Sequence, residues 1–184
     1  RIRALWDQLS TDESTLAVGA DYVGQEALLA YRHSRDGNDQ THGTHTTGIA
    51  AGSGYNSPYR GMAYESDICL VANATSNNAE LIDEADRYKY TYATDALGFK
   101  YIFDYAQAHN MPCVASFSEG SHQDFYGDDI LYYEVLQSLV GAGRILVASA
   151  GNESLSKSFF RKPKDVESDG TFVSPSGGKV FFTL

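Results

Sequence analysis

Two histidines, His42 and His45, stand at i and i+3 in the stretch NDQTHGTHTTGIAAG, residues 38–52. Imidazole is the side chain that changes charge near neutral pH, so a fixed histidine offers either a metal ligand or a general base. Two histidines at this spacing on a helix can reach one ion, but zinc takes three or four ligands. H-E-x-x-H is absent, and no third His, Cys or carboxylate follows at a matching interval. The sequence therefore predicts no metal and no other cofactor here. The base reading fits better. Thr41 can cap a helix, which puts His42 in its first turn, and Thr46, Thr47, Gly48, Ala50, Ala51 and Gly52 are small enough for close packing. An ordinary helix start accounts for the same residues, so this stretch decides nothing alone.

A second stretch, ILVASAGNES at 145–154, carries different chemistry. An apolar strand breaks at Gly151 and delivers Asn152 just past its carboxyl end. In open α/β sheets the carboxyl ends of the strands form the ligand crevice. An asparagine amide there can donate to an oxyanion as it develops, although Gly-Asn is equally a plain turn.

The elements that would position these residues follow from periodicity. SDICLVA (66–72), MPCVASFS (111–118) and RILVASA (144–150) are short apolar runs, read as buried strands. Between them, 91–110 repeats Ala93, Ala96, Leu97, Ile102, Phe103 and Ala106 at mostly helical spacing, and 128–143 reads as a helix with Asp128 as its cap. Strand, helix, strand, helix, strand with continuous apolar strands predicts an α/β fold with a parallel sheet covered on both faces. Residues 22–31 are predicted helical. The tail carries Lys157, Arg161, Lys162 and Lys164, read as a solvated loop, and then TFVSPSGGKVFF, read as a hairpin about Gly177-Gly178.

Composition narrows the functional classes. A net charge of −10 argues against a nucleic-acid partner, which requires a basic surface. No run approaches the roughly 20 apolar residues of a membrane span. Cys69 and Cys113 each sit in an apolar run and read as small buried hydrophobes, so no disulfide framework is expected. The chain opens RIRALWDQLS with neither an initiator Met nor a signal-peptide core, as a piece of a longer protein would.

Together, HGTHTTGIAAG and VASAGNE, two βα units apart, resemble the subtilisin-like serine peptidases, the subtilase or peptidase S8 family, whose H-G-T-H-x-x-G-I and A-x-A-G-N blocks come in this order. YRGMAYESDICLVA resembles the family's G-V-A-P-x-A-x-L approach to a strand, through Gly61 and Ala63, and ASFSEG resembles the strand end bordering the substrate cleft. The resemblance covers about 38–153, with 1–37 as a variable amino-terminal part and 154–184 as loop and hairpin of one partial catalytic domain. It implies a three-layer, mainly parallel sheet, incomplete at both ends. It also implies a secreted or extracytoplasmic endopeptidase acting on polypeptides, and structural calcium is a family habit with no legible site here. His42 matches the general base, Asn152 the oxyanion donor, His45 a structural neighbour, and Ser118, Glu119 and Gly120 the edge that pairs with bound peptide. Glu119 stands where the family often has an apolar residue and hints at a preference for basic side chains.

The departures are as informative. The mechanism needs an aspartate to orient the imidazole and a serine nucleophile. The family's aspartate lies in D-[ST]-G at a strand end, and Asp7, Asp12, Asp21, Asp36 and Asp39 all lack that context; RIRALWDQ is read as the segment after such a block. G-T-S does not occur in these 184 residues. The expectation is an inactive fragment of a peptidase; the alternative is a non-catalytic pseudoprotease that keeps the cleft as a binding module. Without the aspartate strand, strands 67–71 and 113–117 are expected to expose edges, so that either the two close onto each other or a strand comes from elsewhere, pairing between copies included.

Overall fold

The computed structural model describes residues 1–35, 41–119, 127, 129–152 and 162–172. The hairpin expected about Gly177-Gly178, Lys157 and Arg161 of the basic cluster, the capping Asp128 and Gly120 lie outside these residues.

The first strand, β1 (Ile2–Asp7), corrects the sequence reading. IRALWD alternates so that Ala4 and Trp6 turn inward, and both are buried together with Asp7 at the end. Trp6 packs obliquely on Tyr101, ring centroids 5.6 Å apart. Its indole N–H donates to the Val18 carbonyl at 2.9 Å, so a large apolar body is buried without leaving its polar atom unpaired. β1 runs parallel to β3 (Ile68–Ala72), with Leu5 opposite Leu70 and Asp7 opposite Ala72. On its other side it pairs antiparallel with β2 (Ala20–Val23). The chain thus supplies its own strand beside 68–72, and one edge there is filled. The predicted helix at 22–31 is divided between β2 and the short α1 (Gln25–Tyr31).

Beyond β3, two 3-10 turns, Ser76–Leu81 and Glu84–Lys89, lead into α3 (Tyr92–Ala108). Thr91 begins α3 by accepting from the Ala93 N–H at 3.2 Å. β4 (Cys113–Phe117) and β5 (Arg144–Ala148) form a second, parallel pair, joined through α4 (Ile130–Leu139). Phe99 and Phe103 of α3 and Ala115 of β4 make the core there, with Leu136 and Leu139 of α4 and Leu146 packed around them. Phe99 meets Phe117 edge to face at 5.0 Å. α3 also reaches β3, where Gly98 lies against Val71. The strand-helix alternation and the α/β class are as the sequence predicts. One difference concerns cover: Val114 at 61 %, Ile145 at 54 % and Val147 at 52 % exposure lie on the face away from α3, and nothing among the described residues covers it.

α2 (His42–Ala51) is attached mainly by its carboxyl end. The Arg1 guanidinium donates to the Ala51 carbonyl at 2.7 Å, and the backbone N–H groups of Met62 and Ala63 donate to the carbonyls of Ile49 and Ala50. This close approach requires glycine at 61, because a Cβ there would meet the Gly52 nitrogen at 2.4 Å and the Ala51 nitrogen at 2.6 Å, both backbone atoms. Gly61→Ala is expected to destabilise the chain by about 1–3 kcal/mol, the usual range for overpacking. In hydrogen exchange, the amides of Met62 and Ala63 should lose protection before those of α3; unchanged protection would show that the approach is less tight than this.

Candidate active site

The carboxyl ends of the parallel strands gather the residues of interest. β4 and β5 end side by side, with the Ser149 N–H donating to the Phe117 carbonyl at 2.9 Å. Ser118 and Glu119 therefore leave one strand beside the turn that carries Asn152 out of the other. Gly151 makes that turn at φ 81°, a left-handed conformation that glycine adopts without strain. Ser118, Glu119 and Asn152 are all exposed. Asn73, just past β3, donates its side-chain N–H to Glu119 Oε2 at 2.7 Å and so ties the end of one sheet to the end of the other.

The residue that the sequence reading set aside is Asp7. It is fully buried at the carboxyl end of β1. Its Oδ1 accepts from the Leu9 N–H at 2.9 Å, and its Oδ2 accepts from the Tyr31 hydroxyl at 2.6 Å and from the Arg35 N–H at 2.5 Å. Three donors compensate for the loss of water around a buried carboxylate. Tyr31 in turn stacks on Tyr22 at 3.6 Å, and the Tyr22 hydroxyl lies between Ser10 and Asp12. Burial, and then the bond to Asp7, push the Tyr31 phenol well above its ordinary range. Gln8, also fully buried, donates from Nε2 to the Thr94 carbonyl and accepts at Oε1 from the Ala74 N–H, which binds the end of β1 to the exit of β3 and the start of α3.

His42 is the first residue of α2 and is exposed. Thr41 precedes the helix as expected but makes no side-chain cap hydrogen bond. His42 and His45 both lack hydrogen-bonding side-chain partners among the described residues, and no bond joins His42 to Asp7 there. No group of three His, Cys, Asp or Glu side chains able to hold a metal comes together among the described residues. The Arg35 N–H is on Asp7, at the carboxyl end of β1, and the Ala51 carbonyl is on Arg1, at its amino end.

Residues 13–178 match Peptidase S8, the subtilase family. The chain belongs to the subtilase family. Among solved structures this subtilase is similar to the CspB protease of Clostridium perfringens, with a TM-score of 0.57 and 21 % identity. The likeness covers 83 % of this chain but 31 % of that one, and at this identity it speaks to the fold. No curated protein sequence matches the chain. Among the described residues no helix is long and apolar enough to cross a membrane.

One titratable group of this subtilase stands out at the strand ends. Asp95, in the first turn of α3, is pushed up to about 7, first by burial and then by the nearby negative charge of Glu119. The two cysteines are free, and burial pushes the Cys69 thiol up to about 12. Because the folded state holds the Asp95 proton more tightly than the unfolded chain, its contribution to stability is complete below about pH 4 and is lost as pH rises toward 7. The urea midpoint is expected to fall across that window, and Asp95→Asn should flatten the fall. An identical slope in the variant would assign it to other groups.

Proposed function

We propose that this chain carries part of the machinery of a subtilisin-like serine endopeptidase, with His42 as general base and Asn152 as oxyanion donor. The observation that carries the proposal is the family match over residues 13–178, which spans both the histidine helix and the turn that carries Asn152 past β5.

In this mechanism an aspartate accepts the imidazole N–H and holds the tautomer that leaves the other ring nitrogen free, and no aspartate of this sequence stands in the family's D-[ST]-G context. His42 takes the proton of the attacking serine and returns it to the leaving amine. The Asn152 amide donates to the oxygen of the tetrahedral intermediate. Ser118, Glu119 and Gly120 border the bound peptide, Glu119 adding negative charge suited to basic side chains. The serine comes from outside these 184 residues, which contain no G-T-S block, and the substrate is a polypeptide. Secretion of the parent belongs to the same proposal.

Purified 1–184 is expected to show no peptide hydrolysis. In a longer chain that includes the serine block, His42→Ala should lower kcat on the order of 10⁴-fold or more. Asn152→Ala should lower it about 10²–10³-fold, the loss known for this donor in subtilisin itself. Hydrolysis by 1–184 that disappears with His42→Ala would overturn the division of the machinery. A longer chain that binds peptides but never cleaves them would favour the pseudoprotease reading instead.

A further inference from the structure

Sequential strands joined by a helix usually lie side by side in one sheet. β3 and β4 do not. Both pack on α3, β3 through Val71 against Gly98 and β4 through Ala115 against Phe99 and Phe103. Yet β3 belongs to the sheet β2-β1-β3 and β4 to the separate pair β4-β5. The two strands are close at both ends. Asn73 is bonded to Glu119 past their carboxyl ends, and Cys69 lies within electrostatic reach of Cys113 near their amino ends.

The ladders identify which backbone groups face this gap, because the N–H and C=O of successive strand residues point to alternate sides. Ile68 donates to the Arg1 carbonyl and Ala72 accepts from the Gln8 N–H, so Ile68, Leu70 and Ala72 address β1. Cys69 and Val71 point the other way. In β4, Cys113 donates to the Gly143 carbonyl and Phe117 accepts from the Ser149 N–H, so Cys113, Ala115 and Phe117 address β5. Val114 and Ser116 point away from it. Among the described residues no hydrogen bond is made to the backbone of Cys69, Val71, Val114 or Ser116 from outside their ladders. Two open edges that α3 holds in place invite a further strand. One strand suffices, since its own groups alternate toward both neighbours.

We propose that the gap between β3 and β4 is a strand-acceptor site, filled by one extended segment of the longer polypeptide from outside these 184 residues. That segment bonds to Cys69 and Val71 on one side and to Val114 and Ser116 on the other. It is apolar where it faces α3, since Val71, Ala115 and Phe99 line that side. A longer polypeptide is the one element taken from the function proposed above, and most of the CspB protease has no counterpart in this chain. A net charge of −10 disfavours a second copy as the donor of the strand.

The test is amide hydrogen exchange, read residue by residue by NMR, in chain 1–184 and in the longer chain that includes the serine block. In 1–184 the amides of Cys69, Val71, Val114 and Ser116 are expected to exchange fast, while Leu70 and Ala115, bonded to β1 and β5, are protected. In the longer chain all four should slow by about tenfold or more. Protection of the four in 1–184 at every protein concentration would mean that the chain closes the gap by itself and would overturn the proposal. Protection in 1–184 that grows with protein concentration would make a second copy the occupant and overturn it equally. Fast exchange of the four in both chains would show that no strand enters. A longer chain that protects them but hydrolyses no peptide would sink the peptidase reading and leave the acceptor site standing.

Discussion

A carboxylate with no access to water must be met by donors, and around Asp7 that requirement organises a large part of the molecule. Satisfying it draws in the backbone just past β1, the last residue of α1 and the turn after α1. The antiparallel β2 is held to the same centre through Tyr22 against Tyr31. A short amino-terminal strand and a seven-residue helix, neither stable alone, are thereby fixed to one point at the end of the sheet. Removing the charge would leave its donors unpaired in the interior, which is why the centre holds together as a unit.

From that point the geometry extends in two directions. Gln8 carries the order sideways, by its side-chain bonds to Thr94 and Ala74, to β3 and α3, and α3 then packs on β4. The strand ends of both sheets meet through Asn73 and Glu119. The other direction is toward α2, which is secured at its carboxyl end by Arg1 and the close approach of Gly61. A helix held at its carboxyl end presents its first turn, with His42, as its least constrained part.

The sequence showed the parts whose signal is local and periodic. The strands around 68–72, 113–117 and 144–148 and the helix of 92–108 lie where apolar spacing puts them, because each faces a neighbour along most of its length. The histidine and Asn-152 stretches were legible as motifs, since short spacings of distinctive residues carry them. Strand β1 and the burial of Asp7 at its end were not, because their setting is not written in those residues themselves. That setting is a pairing with residues some sixty positions away, and no window of sequence reports it. The helix expected over 22–31 is present from Gln25, and its start differs for a related reason: Ala20–Val23 has too few residues to show alternation, and its strand character comes from the neighbouring β1.

The half-exposed Val114, Ile145 and Val147 touch no part of the core that Phe99 and Phe103 build on the opposite side of their strands. Among the described residues, folding therefore places little demand on the chemical nature of those positions. Exchanging them for lysine or threonine would leave the interior as it is. An evolutionary preference for apolar residues at these positions would accordingly record a selective pressure other than the stability of the 184 residues by themselves.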